Sequence, residues 1–476
     1  MITFSICLLI LVAGYVVYSR YIQKVFGVSK DTPTPAYTQQ DGVDYVPMHW
    51  AKTLLIQFLN IAGLGPIFGA IAGAMWGPVS FIWIVLGCVF AGAVHDYFSG
   101  MISLREQGKS IPEIIGAYLG QGVKQGMRVF TVFLMIVVGA VFIVGPAKIL
   151  YGISQGAISM NVWVAVIFVY YILATVLPIN TIIGKIYPLF GALLIFMALA
   201  IFGGIIYYSM PIPELNIASF KNMHSNPDAF PIFPMLFVTV ACGAISGFHA
   251  TQSPLMARCI KNETEGRRVF YGAMIIEGIV ALIWAAIGMS FFGGVSQLQD
   301  VMNEHGGNAA WVVDTISRTM LGKLGAVLVL LGVVFAPITS GDTAFRSARL
   351  IIADMFSIPQ KISQRILISL PLFGIGFLLS QLDFSIIWRY MAWANQTLAA
   401  IVLWAITSYL IQHAKPYWIT LLPAIGMTAV CCVYILVAPE GLALSMNIGI
   451  PVGLILTASI VLVFTKYIRR KKRNLG

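Results

Sequence analysis

Few ionisable side chains stand inside the apolar runs of this sequence. Each needs a reason, because a charge at the centre of a membrane helix costs about 2.5 to 3.5 kcal/mol on insertion scales. His95 and Asp96 are neighbours in AGAVHDYFSG, His249 lies in GAISGFHATQSP, Glu277 in AMIIEGIVAL, Lys148 in VGPAKIL and Asp342 in TSGDTAFRSAR. A histidine on an unwound segment can bind a substrate carboxylate or titrate during a transport cycle. A carboxylate beside an imidazole can relay protons, although adjacent helical residues point about 100 degrees apart and need not touch. Thr339, Ser340, Asp342 and Thr343 offer hard oxygen donors of the kind sodium takes; the plain structural alternative is an ion pair from Asp342 to Arg346, four residues on. Lys148 either snorkels to an interface or puts an ammonium where a coupling cation would sit. Thr339, Ser340, Asp342, Thr343, His95, Asp96, Glu277 and Lys148 are therefore the candidate ion-coupling residues.

The elements that carry these residues stand out where they fail as helices. Asn60 to Ala70 reads NIAGLGPIFGA, with three glycines and a proline in eleven residues. Each interior Gly costs roughly 1 kcal/mol and Pro roughly 3 relative to Ala. Gly243 to Pro254, GAISGFHATQSP, interrupts a second apolar run about 180 residues later. The two lie five spans apart, an odd step, so they run in opposite directions. This is the pattern of an inverted-topology repeat, whose discontinuous helices expose free N–H and C=O groups near the bilayer midplane. Close packing of small residues is the bland alternative for either stretch taken singly. Asn60, Gly63, Gly65, Gly243, Ser246, Gly247, His249 and Gln252 are the candidate substrate-binding residues.

Composition fixes the class. Of 476 residues, 59% are hydrophobic and 10% charged, against about 25% charged in soluble domains. Long apolar runs, rather than alternating ten-residue segments, indicate helices and not a barrel. About thirteen spans are expected, near 1–19, 53–75, 78–100, 127–149, 161–179, 184–208, 232–256, 268–292, 323–343, 364–381, 386–411, 416–438 and 447–467. The first has no basic residues before it and no cleavage site after it, so it reads as a span and not a signal peptide. Alternate loops carry the basic residues, among them Arg20, Lys52, Arg105, Arg258, Arg346 and Arg365, on the side of the tail KYIRRKKR, while Asp300, Glu304 and Glu440 fall opposite. That bias places the N-terminus outside and the C-terminus in the cytoplasm.

The net charge of +11 follows this topology and anionic lipid, not nucleic acid. Ile111, Ile114, Ile115 and Tyr118 recur at helical spacing in the 105–126 loop and suggest a short interfacial helix. GKS at 108–110 is no phosphate loop, since Ser103 stands where the first Gly belongs. Transport would thus be driven by a gradient. The six cysteines show no CxxC pair, so neither a disulfide framework nor a structural zinc site is expected. A membrane enzyme would need a compact nucleophile or metal constellation, and no HxxxH, HExxH or GxSxG is expected to supply one; a passive channel would not need ionisable groups spread over four spans. Trp50, Trp76, Trp388 and Trp393 fall near span ends as interfacial belts do.

Four runs carry a resemblance: DYVPMHWAKTLLIQFLNIAGLGPIFGAIAG, AGAVHDYFSGMISLREQGKSIPEIIG, GAISGFHATQSPLMARCIKNETEGRRVFYGAMIIEG and PITSGDTAFRSARL. In this order they resemble the carbon starvation protein A (CstA) family, of which the chain looks like a compact member. The resemblance implies a secondary transporter with a LeuT-like core of five plus five helices, importing peptides or pyruvate when carbon is scarce. The chain would divide into 1–52, a first span and cytoplasmic loop; 53–209 and 232–411, the two inverted repeats; and 412–476, two further helices and a basic tail. Ile56 and Gln57 stand where longer members carry paired histidines, and His95 where they carry glutamine, which bears on substrate and coupling. The expectation is an all-α protein of the cytoplasmic membrane. Its partners would be a small-molecule substrate (a peptide or small carboxylate) and lipid, with Na+ or H+ as coupling ion and no other cofactor.

Overall fold

Helices, and the places where they break, make up this structure. It is a computed structural model that describes residues 1–176, 183–359 and 361–473. No strand occurs among the described residues; one isolated bridge joins Met48 to Ile260. The chain opens with α1 (Ile2–Phe26), the pair α2 (Trp50–Ala62) and α3 (Gly65–Ala74), and α4 (Val79–Arg105). Then come α5 (Ile111–Leu119), α6 (Gln121–Ile153), α7 (Met160–Val176) and α8 (Ile183–Tyr207). A short helical stretch, α9 (232–239), leads to α10 (Gly247–Ala257) and α11 (Glu263–Phe291). The remainder is α12 (Val295–Glu304), α13 (Ala309–Leu328), α14 (Phe335–Phe356), α15 (Ile362–Ser380), α16 (Phe384–Gln412), α17 (Trp418–Val437) and α18 (Met446–Arg473).

Among the described residues, nine helices are long and apolar enough to cross a membrane, and the bent pair α2/α3 makes ten. The other expected spans fall short of that standard for identifiable reasons. The one at 161–179 appears as the shorter α7, and its far end lies outside the described residues. The one at 232–256 is split between α9 and α10. The one at 323–343 runs into α14, whose TSGDTAFRSAR stretch dilutes its apolar character.

Both breaks exist. α2 stops at Ala62 because Gly63 takes φ +45° and ψ −134°, a conformation essentially reserved for glycine. α3 then leaves at 57° to α2. The second break spans 240–246, with Ser246 extended at φ −146° before α10 begins. It therefore ends upstream of where the sequence placed it. Pro254 sits inside α10, where the helix tolerates its missing N–H, and His249 occupies the first turn of a helix and not an unwound segment.

Burial separates core from periphery. In α11, 83% of the most apolar window is buried, against 17% in α18, so α11 is an inner helix and α18 an outer one. α10 packs on α2, α4 and α16, while α14 packs on α2 and α6. Glycines permit the closest approaches. A Cβ on Gly65 would stand 2.2 Å from the Cys242 side chain, and one on Gly69 2.9 Å from the Thr239 carbonyl. With Gly73 against Val240, these i, i+4 glycines press α3 along the second break, as small-residue stripes do in membranes. The expected helix at 111–119 is present, but Ile111, Ile114, Ile115 and Tyr118 are buried, packed in part against α6 and α16. Trp76 is also buried, donating to the Phe230 carbonyl at 2.9 Å, so it is no belt residue.

Candidate functional site

The two breaks lie against each other, and polar groups collect on both sides of them. On the first side, Asn60 is fully buried on the last turn of α2, and neither its Oδ1 nor its Nδ2 has a protein partner. Gln57, one turn earlier, reaches Ser253 of α10 at 3.5 Å, leaving its Oε1 unpaired. Gln252 bonds Thr251 at 2.9 Å and likewise leaves its Oε1 unpaired. Buried amides without partners are uncommon and mark places where water or a ligand completes the bonding. Gly63 abuts the Phe142 ring, where an added Cβ would come within 2.7 Å.

Across the second break, Asn395 of α16 holds the start of α10. Its Oδ1 accepts from the Phe248 N–H at 2.6 Å and its Nδ2 donates to Ser246 Oγ at 2.8 Å. A Cβ on Gly247 would meet the Asn395 carbonyl at 2.3 Å and the Ala399 nitrogen at 2.5 Å, so glycine is required for this contact. Gly243 packs on Ala281, 2.6 Å from where its Cβ would lie. Asn395 escaped the sequence reading; an amide inside the apolar run 386–411 was the available signal.

α14 faces the first break. Ser340 Oγ bonds the Leu59 carbonyl at 3.0 Å, in the last turn of α2, and also the Ala336 carbonyl at 3.0 Å. Thr339 and Thr343 donate to carbonyls of their own helix, Ala336 at 2.7 Å and Ser340 at 3.0 Å. Their oxygen lone pairs stay available. Asp342 is buried and accepts a hydrogen bond from the Tyr187 hydroxyl at 2.8 Å; Tyr187 in turn meets Tyr170 at 3.1 Å. The i, i+4 ion pair to Arg346 does not form. Arg346 instead pairs with Asp44 at 3.2 Å and bonds the Ala174 carbonyl at 3.1 Å. Asp44 lies 302 positions away in sequence, a separation at which no local pattern could reveal it.

A second polar cluster joins α4, α10 and α11. Asp96 Oδ1 lies 2.8 Å from His95 Nδ1 and its Oδ2 lies 2.9 Å from His249 Nδ1. The neighbouring His95 and Asp96 side chains therefore do touch, despite the angle between them along the helix. His249 Nε2 stands 3.5 Å from Glu277 Oε2. All four side chains are fully buried. Lys148 stays apart from both groups: it is exposed near the end of α6, over the Phe384 ring at 4.7 Å, beside a cavity shared with Asp314 and Arg318. That position fits snorkelling.

The ends of the core differ. At one end, a cavity of about 270 Å³ opens beside Met75, Met235, Thr239 and Trp388, next to the ends of α3 and α9. At the other, the segment after α1 closes the bundle. Asp44 lies on Arg346, with Arg349 at 4.0 Å; Glu263 takes Arg105 at 3.0 Å and the Ser29 N–H at 2.8 Å. The single GxSxG spacing in the sequence, Gly152 to Gly156, is an exposed helix end whose Ser154 hydroxyl donates to the Tyr151 carbonyl. It is not a nucleophile elbow.

This is the fold of a membrane transporter. Solved structures of a manganese transporter from Eremococcus coleocola align with 90% of this chain and 99% of theirs, at TM-scores of 0.59 and 0.57 and identities of 13% and 14% for two mutants. At that identity the likeness concerns the fold. The chain belongs to the carbon starvation protein CstA family, whose model matches residues 1–162 and 146–324. An uncharacterized membrane protein of Haemophilus influenzae is 44% identical over 64% of this chain and 94% of its own length. A peptide transporter CstA of Helicobacter pylori is 29% identical over 57% of this chain and 48% of its own. The pyruvate/proton symporter BtsT of Escherichia coli is 28% identical over 68% and 55%. The chain thus spans about half the length of these named transporters.

Proposed function

We propose that this chain is a secondary active transporter that imports a small carbon nutrient, a short peptide or pyruvate, across the cytoplasmic membrane. Thirteen spans, N-terminus outside, would hold a LeuT-like core of two inverted repeats, 53–209 and 232–411. The substrate carboxylate would sit on N–H groups freed at the two breaks, near Asn60, Gly63, Ser246, Gly247 and Gln252, where helix N-termini favour negative charge. The cavity beside Met75 and Thr239 would be its outer approach, and the Asp44–Arg346 pair would close the inner end.

One observation carries the coupling. Asp342 is a buried carboxylate whose hydrogen-bond donor is a tyrosine, and two residues before it Ser340 is tied to the Leu59 carbonyl beside the first break. Protonation of Asp342 would therefore be felt where the helix bends. Proton coupling agrees with the name of the Escherichia coli relative. The oxygens of Thr339, Ser340 and Thr343 would serve sodium in the same place.

Uptake of labelled pyruvate and labelled dipeptides into proteoliposomes, with proton and sodium gradients imposed separately, tests the reading. Accumulation under one gradient supports it. Accumulation of neither substrate under either gradient refutes it, and equilibration indifferent to gradients would indicate a channel.

A further inference from the structure

The cluster around His249 has a feature that proton relay does not use. Cys242 Sγ, His249 Nε2 and a Glu277 carboxylate oxygen all lie within 4.8 Å of one another. Thiol, imidazole and carboxylate converge from the second break, the first turn of α10 and the middle of α11. The Nε2–Oε2 separation of 3.5 Å is about the edge of a tetrahedron built on bonds of roughly 2.0 to 2.3 Å.

The neighbour of His249 Nδ1 suits the ring to ligation through Nε2. Its Nδ1 faces Asp96 Oδ2 at 2.9 Å, and Asp96 is itself held by His95 at 2.8 Å. With Nδ1–H donating to that carboxylate, the Nε2 lone pair points the other way. Such carboxylate–histidine pairs usually stand behind metal-ligating imidazoles. The groups on the metal side have little besides each other: His249 Nε2 and Glu277 Oε2 stand 3.5 Å apart without a formed hydrogen bond, Glu277 Oε1 has no hydrogen-bond partner, and both residues are fully buried. Leaving a carboxylate in that condition is costly. The Cys242 thiol spends itself weakly, on Ser246 Oγ at 3.8 Å.

We propose that Cys242, His249 and Glu277 bind one divalent transition-metal ion of the zinc class, with Asp96 and His95 as the supporting shell. Mixed sulfur, nitrogen and oxygen donors select such an ion over magnesium or calcium. Its two positive charges offset the Cys242 thiolate and the Glu277 carboxylate, which leaves Asp96 to the two imidazoles that face it. Three protein donors leave a fourth position for water or a substrate oxygen, and the ion would tie the second break to α11. The assignment is independent of the coupling role given to Asp342, and so is its test.

The full-length protein, purified in detergent and stripped with chelator, is titrated with Zn2+ and Co2+ alone. Metal content and the Co2+ absorption spectrum are read without any transport assay. Expected are one tightly held Zn2+ per chain and, with Co2+, a near-ultraviolet thiolate-to-metal band. Cys242→Ser abolishes that band, His249→Gln and Glu277→Gln release the ion, and Asp96→Asn weakens binding about 10- to 100-fold. Cys259→Ser, which alters a buried cysteine outside the cluster, keeps full loading. Wild-type protein with a cooperative melt that retains no Zn2+ and shows no Co2+ band overturns the proposal, leaving the cluster as a proton relay. Equal loading of wild type and Cys242→Ser also overturns it.

Discussion

Replacing Asp44 by asparagine removes the carboxylate that faces Arg346 at 3.2 Å and Arg349 at 4.0 Å, in surroundings where these side chains are 1% to 4% exposed. Removing one partner of a buried ion pair costs about 3 to 5 kcal/mol, because the remaining charge is left uncompensated. The lower end applies here, since Arg346 keeps its bond to the Ala174 carbonyl and the asparagine oxygen can still accept. About 3 kcal/mol, at 1.4 kcal/mol per factor of ten, raises the population open at this end on the order of 100-fold. A native reporter lies beneath the pair. Cys259 is buried, and its Sγ packs 3.9 Å from the Asp44 carbonyl and 3.5 Å from that of Leu255. The assay is the rate of Cys259 alkylation by a maleimide, read by peptide mass spectrometry on protein in nanodiscs. Cys259 should label on the order of 100-fold faster in Asp44→Asn, while Cys7, at the other end of α1, labels at the wild-type rate. Unchanged Cys259 labelling in a folded variant would refute the argument that Asp44 holds this end shut.

Further outcomes follow from the same geometry. Burial alone would raise the Asp44 carboxyl, but Arg346, Arg349, Arg258 and Arg365 outweigh it and hold the group below the ordinary carboxylate range. Its stabilisation is therefore complete above the unfolded value of about 3.9 and fades as pH falls through the lower folded value. Amide exchange around Arg346 and Arg349 of α14 should then show no pH-driven opening between about pH 8 and 5, once intrinsic exchange rates are removed. Gly247→Ala forces backbone contacts of 2.3 and 2.5 Å to open and should cost about 1 to 3 kcal/mol or more, seen as a lowered melting temperature. Gly122→Ala, with nothing within 4 Å, serves as its neutral control. Gly63→Ala places a Cβ at φ +45° and 2.7 Å from the Phe142 ring, so about 1 to 3 kcal/mol of strain should straighten the break and lower uptake; unaltered uptake would detach the break from transport. Asp342→Asn should lose gradient-driven accumulation and keep exchange, and an unchanged profile removes the residue from coupling.

The helical membrane class, the family and the first break were legible in the sequence because each rests on local composition or a contiguous motif. Hydropathy is a property of a window. Gly63 announces itself through the penalty for glycine in any helix, and the 111–119 helix through its period. Where the signal was weaker, the reading drifted. Pro254 reads in the sequence as part of a break, whereas the break ends at Ser246, since proline inside a packed helix and proline at its boundary look alike in one dimension.

Which partner a charge chooses was decided only by the tertiary structure. Arg346 has Asp342 one helical turn away, yet pairs with Asp44 from a loop 302 positions earlier, while Asp342 takes the Tyr187 hydroxyl, so the two side chains of α14 meet different neighbours. Cys242, His249 and Glu277 have no metal-site spacing in the chain; a break, a helix start and a third helix bring their donor atoms within 4.8 Å. Asn395 reaches Ser246 across 149 positions. Sequence determines how costly each polar group is to bury. Packing determines which other group offsets that cost, since Coulomb and hydrogen-bond energies depend on distances in space that separation along the chain does not encode.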